Sequence, residues 1–184
     1  MPRYKICISG GASGENAEKA MSLAKKIGKE IASRGHVLIT GATTGVPFAA
    51  AVEAKKVGGA VIGFSPAGSE AEHVGRYRLP ADPKIFDHMI YAEFGYTGRN
   101  LLMVRSADAT IVVDGRIGTL NEFTSAYEEN EIVGVLEGSG GIADEVRRIL
   151  EVAKKGRRKV VFATDPIKLV DIIIKKIKKE KAGK

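Results

Sequence analysis

One cysteine, Cys7, stands in the 184 residues, so neither a disulfide framework nor a cysteine-based zinc cluster can be built. The three histidines, His36, His73 and His88, lie too far apart for a short metal-ligand spacing, and no metal or other cofactor is expected. No stretch approaches the roughly 20 apolar residues of a membrane span. The amino terminus MPRYKICISGG leads straight into a strand-like segment and not into a signal-peptide core. A cytoplasmic protein without a membrane partner is expected.

Spread-out positive charge is also scarce. The net charge is +7, but the last ten residues, KKIKKEKAGK, hold six Lys and one Glu, which leaves the body nearly neutral. A nucleic-acid partner would need basic charge over a folded face, so it is not expected. The tail reads as a solvated helix end or, alternatively, as a loose attraction for polyanions.

What the chain does have is alternation. The β-branched runs YKICIS, HVLIT, AVIGF, ATIVV, EIVGVL and KVVFA are each followed by a helix-like stretch, the pattern of a parallel sheet. Residues Glu15 to Arg34 place Ala17, Ala20, Met21, Ala24, Ile27, Gly28 and Ile31 on one helical face. A last helix is expected with Asp165 as N-cap, Pro166 as first residue, and an apolar stripe of Ile167, Val170, Ile173, Ile174 and Ile177. Between Ser65 and Asp87 the pattern lapses into a segment broken by Pro and Gly, read as an irregular loop. The expected architecture is a single-domain, Rossmann-like, doubly wound α/β fold over residues 1–174, with helices on both faces of a parallel sheet, and a Lys-rich tail over 175–184. Ligands of such folds bind outside the carboxyl ends of the strands.

Four strand exits are rich in small residues: Ser9-Gly10-Gly11-Ala12-Ser13-Gly14, Gly41-Ala42-Thr43-Thr44-Gly45, Gly115-Arg116-Ile117-Gly118-Thr119 and Gly138-Ser139-Gly140-Gly141. Glycine lets backbone N–H groups approach an anion, and the helix start that follows adds unpaired donors, so phosphate is a natural guest. Turn geometry alone is the competing explanation for each loop. Neither the P-loop pattern nor the strict dinucleotide fingerprint is present, and there is no G-x-S-x-G nucleophile elbow.

In Asp114 to Glu122, DGRIGTLNE, Thr119 and Glu122 are three residues apart at a helix start and so share a face. One reading is a capping box that satisfies backbone donors. The other has Gly118 and Thr119 hold a phosphate while Glu122 serves as a base or as the countercharge to a developing cation. Arg99, in Tyr96-Thr97-Gly98-Arg99-Asn100, falls in the expected first turn of the preceding helix, at the same sheet edge as Glu122. A cation opposes the helix dipole there, which hints at an anionic partner; a solvated arginine is the alternative. Cys7 reads as a buried small apolar residue. His73 and His88 either line a pocket or are structural, and Glu15 either reaches a ribose hydroxyl or simply complements a helix dipole.

On these residues the chain resembles the LOG ("lonely guy") phosphoribohydrolases, formerly mislabelled lysine decarboxylases, and is more similar still to their molybdenum-cofactor-carrier-like relatives. The likeness runs from about Tyr4 to Glu137. It rests on an arginine followed four residues later by methionine, here Arg99 and Met103, and on P-G-G-x-G-T-x-x-E, matched by Gly115, Gly118, Thr119 and Glu122. The resemblance implies Arg99 and Glu122 as a catalytic pair, and Gly118 and Thr119 as a phosphate clamp. The implied reaction is hydrolysis of the N-glycosidic bond of a nucleoside 5′-monophosphate to base and ribose 5-phosphate, in a metal-free homodimer or higher homo-oligomer.

The nucleotide site is expected to draw on Ser9, Gly10, Gly11, Gly41, Thr44, Gly45, Gly115, Arg116, Gly118 and Thr119. Four positions depart from the LOG pattern: Asp114 stands for its proline, Arg116 for its second glycine, Asn100 for a lysine and Asn121 for the first of two glutamates. The expected ligand is a phosphorylated ribonucleoside, hydrolysed or not. The alternative is a non-catalytic carrier or sensor of a molybdopterin-like or nucleotide-derived ligand.

Overall fold

The computed structural model describes residues 3–12 and 17–183; Ser13, Gly14 and Glu15, named above, lie outside them. Its elements follow in strict alternation: β1 (Lys5–Gly10), α1 (Ala17–Ser33), β2 (Val37–Thr40), α2 (Val46–Lys56), β3 (Ala60–Ser65), α3 (Glu70–Gly75), β4 (His88–Tyr91), α4 (Gly95–Arg105), β5 (Ala109–Val113), α5 (Ile117–Glu128), β6 (Ile132–Leu136), α6 (Gly141–Val152), β7 (Val160–Ala163) and α7 (Pro166–Ala182). The strands form one parallel sheet in the order β4-β3-β2-β1-β5-β6-β7. The chain winds outward one way from β1, then returns to β5 and winds the other way, which makes this a single-domain Rossmann-like α/β fold. Where the order reverses, between β1 and β5, the helices on the two sides diverge and a crevice opens at the strand carboxyl ends.

The six expected strands are all present. The central ones, β5 and β6, are buried at every position, as a sheet covered on both faces requires. The seventh, β4, is a correction to the reading of Ser65 to Asp87 as irregular throughout. It is an edge strand with exposed and half-buried positions alternating, so its sequence HMIY lacks the apolar run by which a buried parallel strand is read.

The same segment holds α3, which Ser69 caps by accepting from the Glu72 N–H. His73, fully buried, pins the segment: its Nε2 donates to the Pro80 carbonyl at 3.0 Å, and its Nδ1 therefore accepts from the Ser65 hydroxyl at 2.8 Å. The arrangement gives His73 a structural role. His88 is exposed on β4.

The first large cluster of buried side chains lies between the sheet and α1, α2 and α7. Ala20, Ala24, Ile27 and Ile31 of α1 are fully buried, and Gly28 meets the Ala50 backbone of α2 so closely that any side chain there would collide. Asp165 caps α7 through the Lys168 N–H at 2.7 Å, with Pro166 first in the helix. Ile167 points outward at 47% exposure and Leu169 is buried in its stead, a one-residue correction to the expected stripe. Residues 175–182 continue this helix, with Ile177 buried and Lys181 paired to Asp108 at 2.7 Å. The second cluster packs α5 and α6 on the other face. No helix among the described residues is long and apolar enough to cross a membrane.

At the opposite edge of the sheet from the crevice, Glu131 sits between α5 and β6 with its Oε2 buried and unpaired. Burial, with Glu129 and Asp108 nearby, pushes its carboxyl up to about 7, against the pull of Arg105 and Lys159. The folded chain therefore binds a proton here more tightly than the unfolded chain does. This contribution to stability is present at acidic pH and is lost as pH rises from the ordinary carboxylate range through about 7. Glu131→Gln should raise the melting temperature by a few degrees at pH 8 and by much less at pH 5, as thermal unfolding followed by circular dichroism will report.

Candidate functional site

At the crevice a cavity of about 280 Å³ opens over the ends of β1 and β5. Of the residues expected at a site, Ser9, Gly10, Gly11, Gly41, Arg99, Arg116, Gly118, Thr119 and Glu122 line it together. Thr44, Gly45 and Gly115 do not, and each has another task. Thr44 is exposed, with its hydroxyl near the Ala12 carbonyl, and Gly45, at φ +70°, packs on the Gly11 and Ala12 backbone. Gly115, at φ +100°, lies so close to the Thr119 side chain that only glycine fits. Ile8, Ala12, Thr43, Pro47, Tyr96 and Asn100 complete the wall, and none of them was among the residues expected at the nucleotide site. Thr43 lies in a glycine loop and Tyr96 in the helix start that the sequence singles out, but neither segment says which side chain turns inward.

Glu122 is 7% exposed on α5, and its Oε2 accepts a hydrogen bond from the Ser9 hydroxyl. This removes the capping-box reading: the N-cap of α5 is Arg116, Thr119 is already the third helical residue, and the Glu122 carboxylate points to β1. Ser9, expected at the nucleotide site, lines the cavity with its hydroxyl proton given to this carboxylate. Burial pushes the Glu122 carboxyl above its ordinary range, and Arg99 and the Ser9 hydroxyl pull it back.

Arg99 is 3% exposed and is the fifth residue of α4, so the expectation that it occupies the first turn, and the dipole argument built on it, fall away. The start GYTG is a poor helix former by composition, which hid the true boundary. The guanidinium donates through Nη1 to the Phe64 carbonyl at 3.3 Å and lies 3.9 Å from Met103 Sδ, one turn further along α4. It also lies over the Tyr96 ring at 5.7 Å. Its Nε has no partner. Desolvation lowers its pKa, and the Glu122 charge opposes this. Gly41 leaves the guanidinium its room, since a Cβ there would collide with Nη1. Beneath the pair Cys7 is fully buried; burial, reinforced by Glu122, pushes its thiol well up, so it is packing and not a nucleophile.

The departures from the LOG pattern fall in two places. Asp114 has φ +53°, which a proline, locked near −65°, cannot adopt, so this strand exit follows a path closed to a proline-bearing loop. The fourth glycine loop is a buttress for that path. The Ile142 and Ala143 N–H groups at the start of α6 donate to the Gly115 and Asp114 carbonyls at 3.0 and 3.1 Å, and Ser139 Oγ accepts from the Asp114 N–H at 2.8 Å. The second place is α4 against α5, where Asn100 Nδ2 donates to Asn121 Oδ1 at 2.9 Å. The two asparagines thus meet, so two of the four departures from the LOG pattern form one neutral amide pair. Among the described residues, no group of three or more His, Cys, Asp or Glu is placed to hold a metal.

The chain is 35% identical to an uncharacterised protein of Archaeoglobus fulgidus over 125 residues, 68% of this chain and 76% of the other. Its structure is similar to that of the molybdenum cofactor binding protein of the phototrophic bacterium Rippkaea orientalis, with a TM-score of 0.74 and 26% identity over 96% of this chain and 98% of that one. The molybdenum cofactor carrier protein of Chlamydomonas reinhardtii shares the fold, with a TM-score of 0.74 and 23% identity over 95% and 98% of the two chains. The model of the SLOG cluster4 family matches residues 3–170, a span that contains Arg99, Gly118, Thr119 and Glu122 of the cavity, and the chain belongs to that family.

Proposed function

We propose that the cavity binds a phosphorylated ribonucleoside and that Arg99 and Glu122 act on its N-glycosidic bond. The observation that carries this reading is the burial of a carboxylate and a guanidinium in one cavity wall, each biasing the other's ionisation. The first turn of α5, with Gly118 open to the cavity and Thr119 behind it, offers backbone donors and the positive end of a helix dipole to the 5′-phosphate. Arg116 at the N-cap adds a cation at the rim. The volume suits one mononucleotide better than a dinucleotide.

In the reaction, the C1′–N bond breaks with its electron pair leaving on the base, and water adds to C1′. Ionised Glu122 faces the positive charge that develops on the ribosyl ring and accepts the proton of the attacking water; the base takes up a proton as it leaves. The products are free base and ribose 5-phosphate.

A second reading, binding without cleavage, is favoured by the path of the chain at Asp114 and by Arg116, which places a long side chain where the LOG pattern has bare backbone. The likeness to the molybdenum cofactor binding protein of Rippkaea orientalis supports it as well. A small-molecule partner, and not nucleic acid, fits either reading, because five of the seven net positive charges lie in residues 175–184. The cytoplasm is the compartment in which we place the protein, and a homodimer or higher homo-oligomer is its proposed assembly.

Incubation with nucleoside 5′-monophosphates followed by chromatography should give free base with the wild type and at least a hundredfold less with Glu122→Gln, a loss typical of a positioned acid–base group. Intact nucleotide with calorimetric binding would instead establish the carrier reading. Because burial raises the Glu122 carboxyl and the ionised form is the active one, the acid limb of kcat against pH should lie above the ordinary carboxylate range. Gly41→Ala, which pushes the guanidinium of Arg99 from its seat, should weaken nucleotide binding by on the order of tenfold while leaving the fold's circular dichroism intact.

A further inference from the structure

An asparagine amide offers two donors and one acceptor oxygen with two lone pairs. Asn100 uses its nitrogen on Asn121 Oδ1 at 2.9 Å, which turns that edge of the amide toward α5 and fixes its orientation. Its own Oδ1 is buried without a partner, although the side chain is only 3% exposed and lines the cavity. An unmet buried acceptor is costly, so a bound ligand that brings a donor to it gains what the site alone forgoes.

The donor cannot be an ionised phosphate, which only accepts. The phosphate's place is at the rim, by Gly118 and Arg116. Asn100 follows Arg99 in α4 and its partner Asn121 precedes Glu122 in α5, so the amide pair flanks the two residues assigned to the ribosyl centre. The groups beside C1′ that carry a donor are the ribose hydroxyls.

We infer that Asn100 Oδ1 accepts a hydrogen bond from a ribose hydroxyl of the bound nucleotide, with Asn121 as the residue that orients it, so that this amide pair selects ribonucleotides over their deoxy counterparts. The inference rests on the nucleotide reading above and names the part of the ligand that this side chain recognises. A cation at position 100 would draw an anion; a neutral amide whose oxygen lacks a partner draws an O–H.

The test is isothermal titration of the full chain with AMP, 2′-deoxy-AMP and 3′-deoxy-AMP, for the wild type and for Asn100→Leu. The wild type should bind AMP about tenfold more tightly than the analogue lacking the recognised hydroxyl. Asn100→Leu should lose that preference, binding AMP and the deoxy analogue with equal affinity. Equal wild-type affinity for all three nucleotides overturns the assignment of Asn100 and leaves the nucleotide reading standing. A preference that survives in Asn100→Leu overturns it too. Failure of the wild type to bind any of the three overturns both. Should Asn100→Leu not fold, the wild-type comparison of the three ligands decides alone.

Discussion

Two opposite charges, Arg99 and Glu122, are held out of water at the point where the sheet reverses its winding, and the neighbouring structure is arranged around that fact. Taking an ion from water into a protein interior costs several kcal/mol even after relaxation, and mutual attraction offsets this only where hydrogen bonds meet the remaining donors and lone pairs. Here the Ser9 hydroxyl serves the carboxylate and the Phe64 carbonyl serves the guanidinium, but Arg99 Nε is left unmet, as is Asn100 Oδ1 beside it. A site built for stability alone would have closed these groups off with apolar packing. Unmet donors and acceptors in the wall of a cavity mark a place completed by something that binds.

The glycines divide according to this constraint. Gly41 makes room for the guanidinium, and Gly118 leaves the start of α5 open to the cavity. Gly45, Gly115 and Gly141 instead press backbone on backbone, or backbone on Thr119, and so fix where the loops run. Glycine richness at a strand exit therefore has two physical origins, space for a ligand and close packing between loops. Only the three-dimensional neighbours separate them: Gly45 and Gly115, read as ligand contacts in sequence, have loop backbone and the Thr119 side chain as their nearest neighbours.

Much of the fold was legible because a parallel sheet buried on both faces leaves runs such as ATIVV and IVGVL that no other element explains. The edge strand HMIY left no such trace, since half of it faces solvent. At the site, Arg99, Gly118, Thr119 and Glu122 could be placed at one edge by spacing and topology. The engagement of Ser9 by Glu122, the orientation of Asn100 by Asn121, and the buttress that α6 provides for Asp114 could not. Each joins residues 21 or more positions apart through one to three hydrogen bonds, and periodicity carries no information about such pairs.

On the function proposed above, the strand exit at Asp114 is where binding and cleavage would part company. Its left-handed backbone is held from below by Ser139 and by the first N–H groups of α6, so the path is imposed by the neighbouring loop and not only by the residue itself. A mononucleotide whose phosphate is seated by this loop will have its C1′ placed by the same geometry, and a displacement of about 1 Å at the reacting carbon is enough to cost a hundredfold in rate. Binding energy, spread over backbone donors and Arg116, is far less sensitive to such a shift. On that reading one chain can keep the buried charge pair while the path of a neighbouring loop decides whether C1′ is placed for attack.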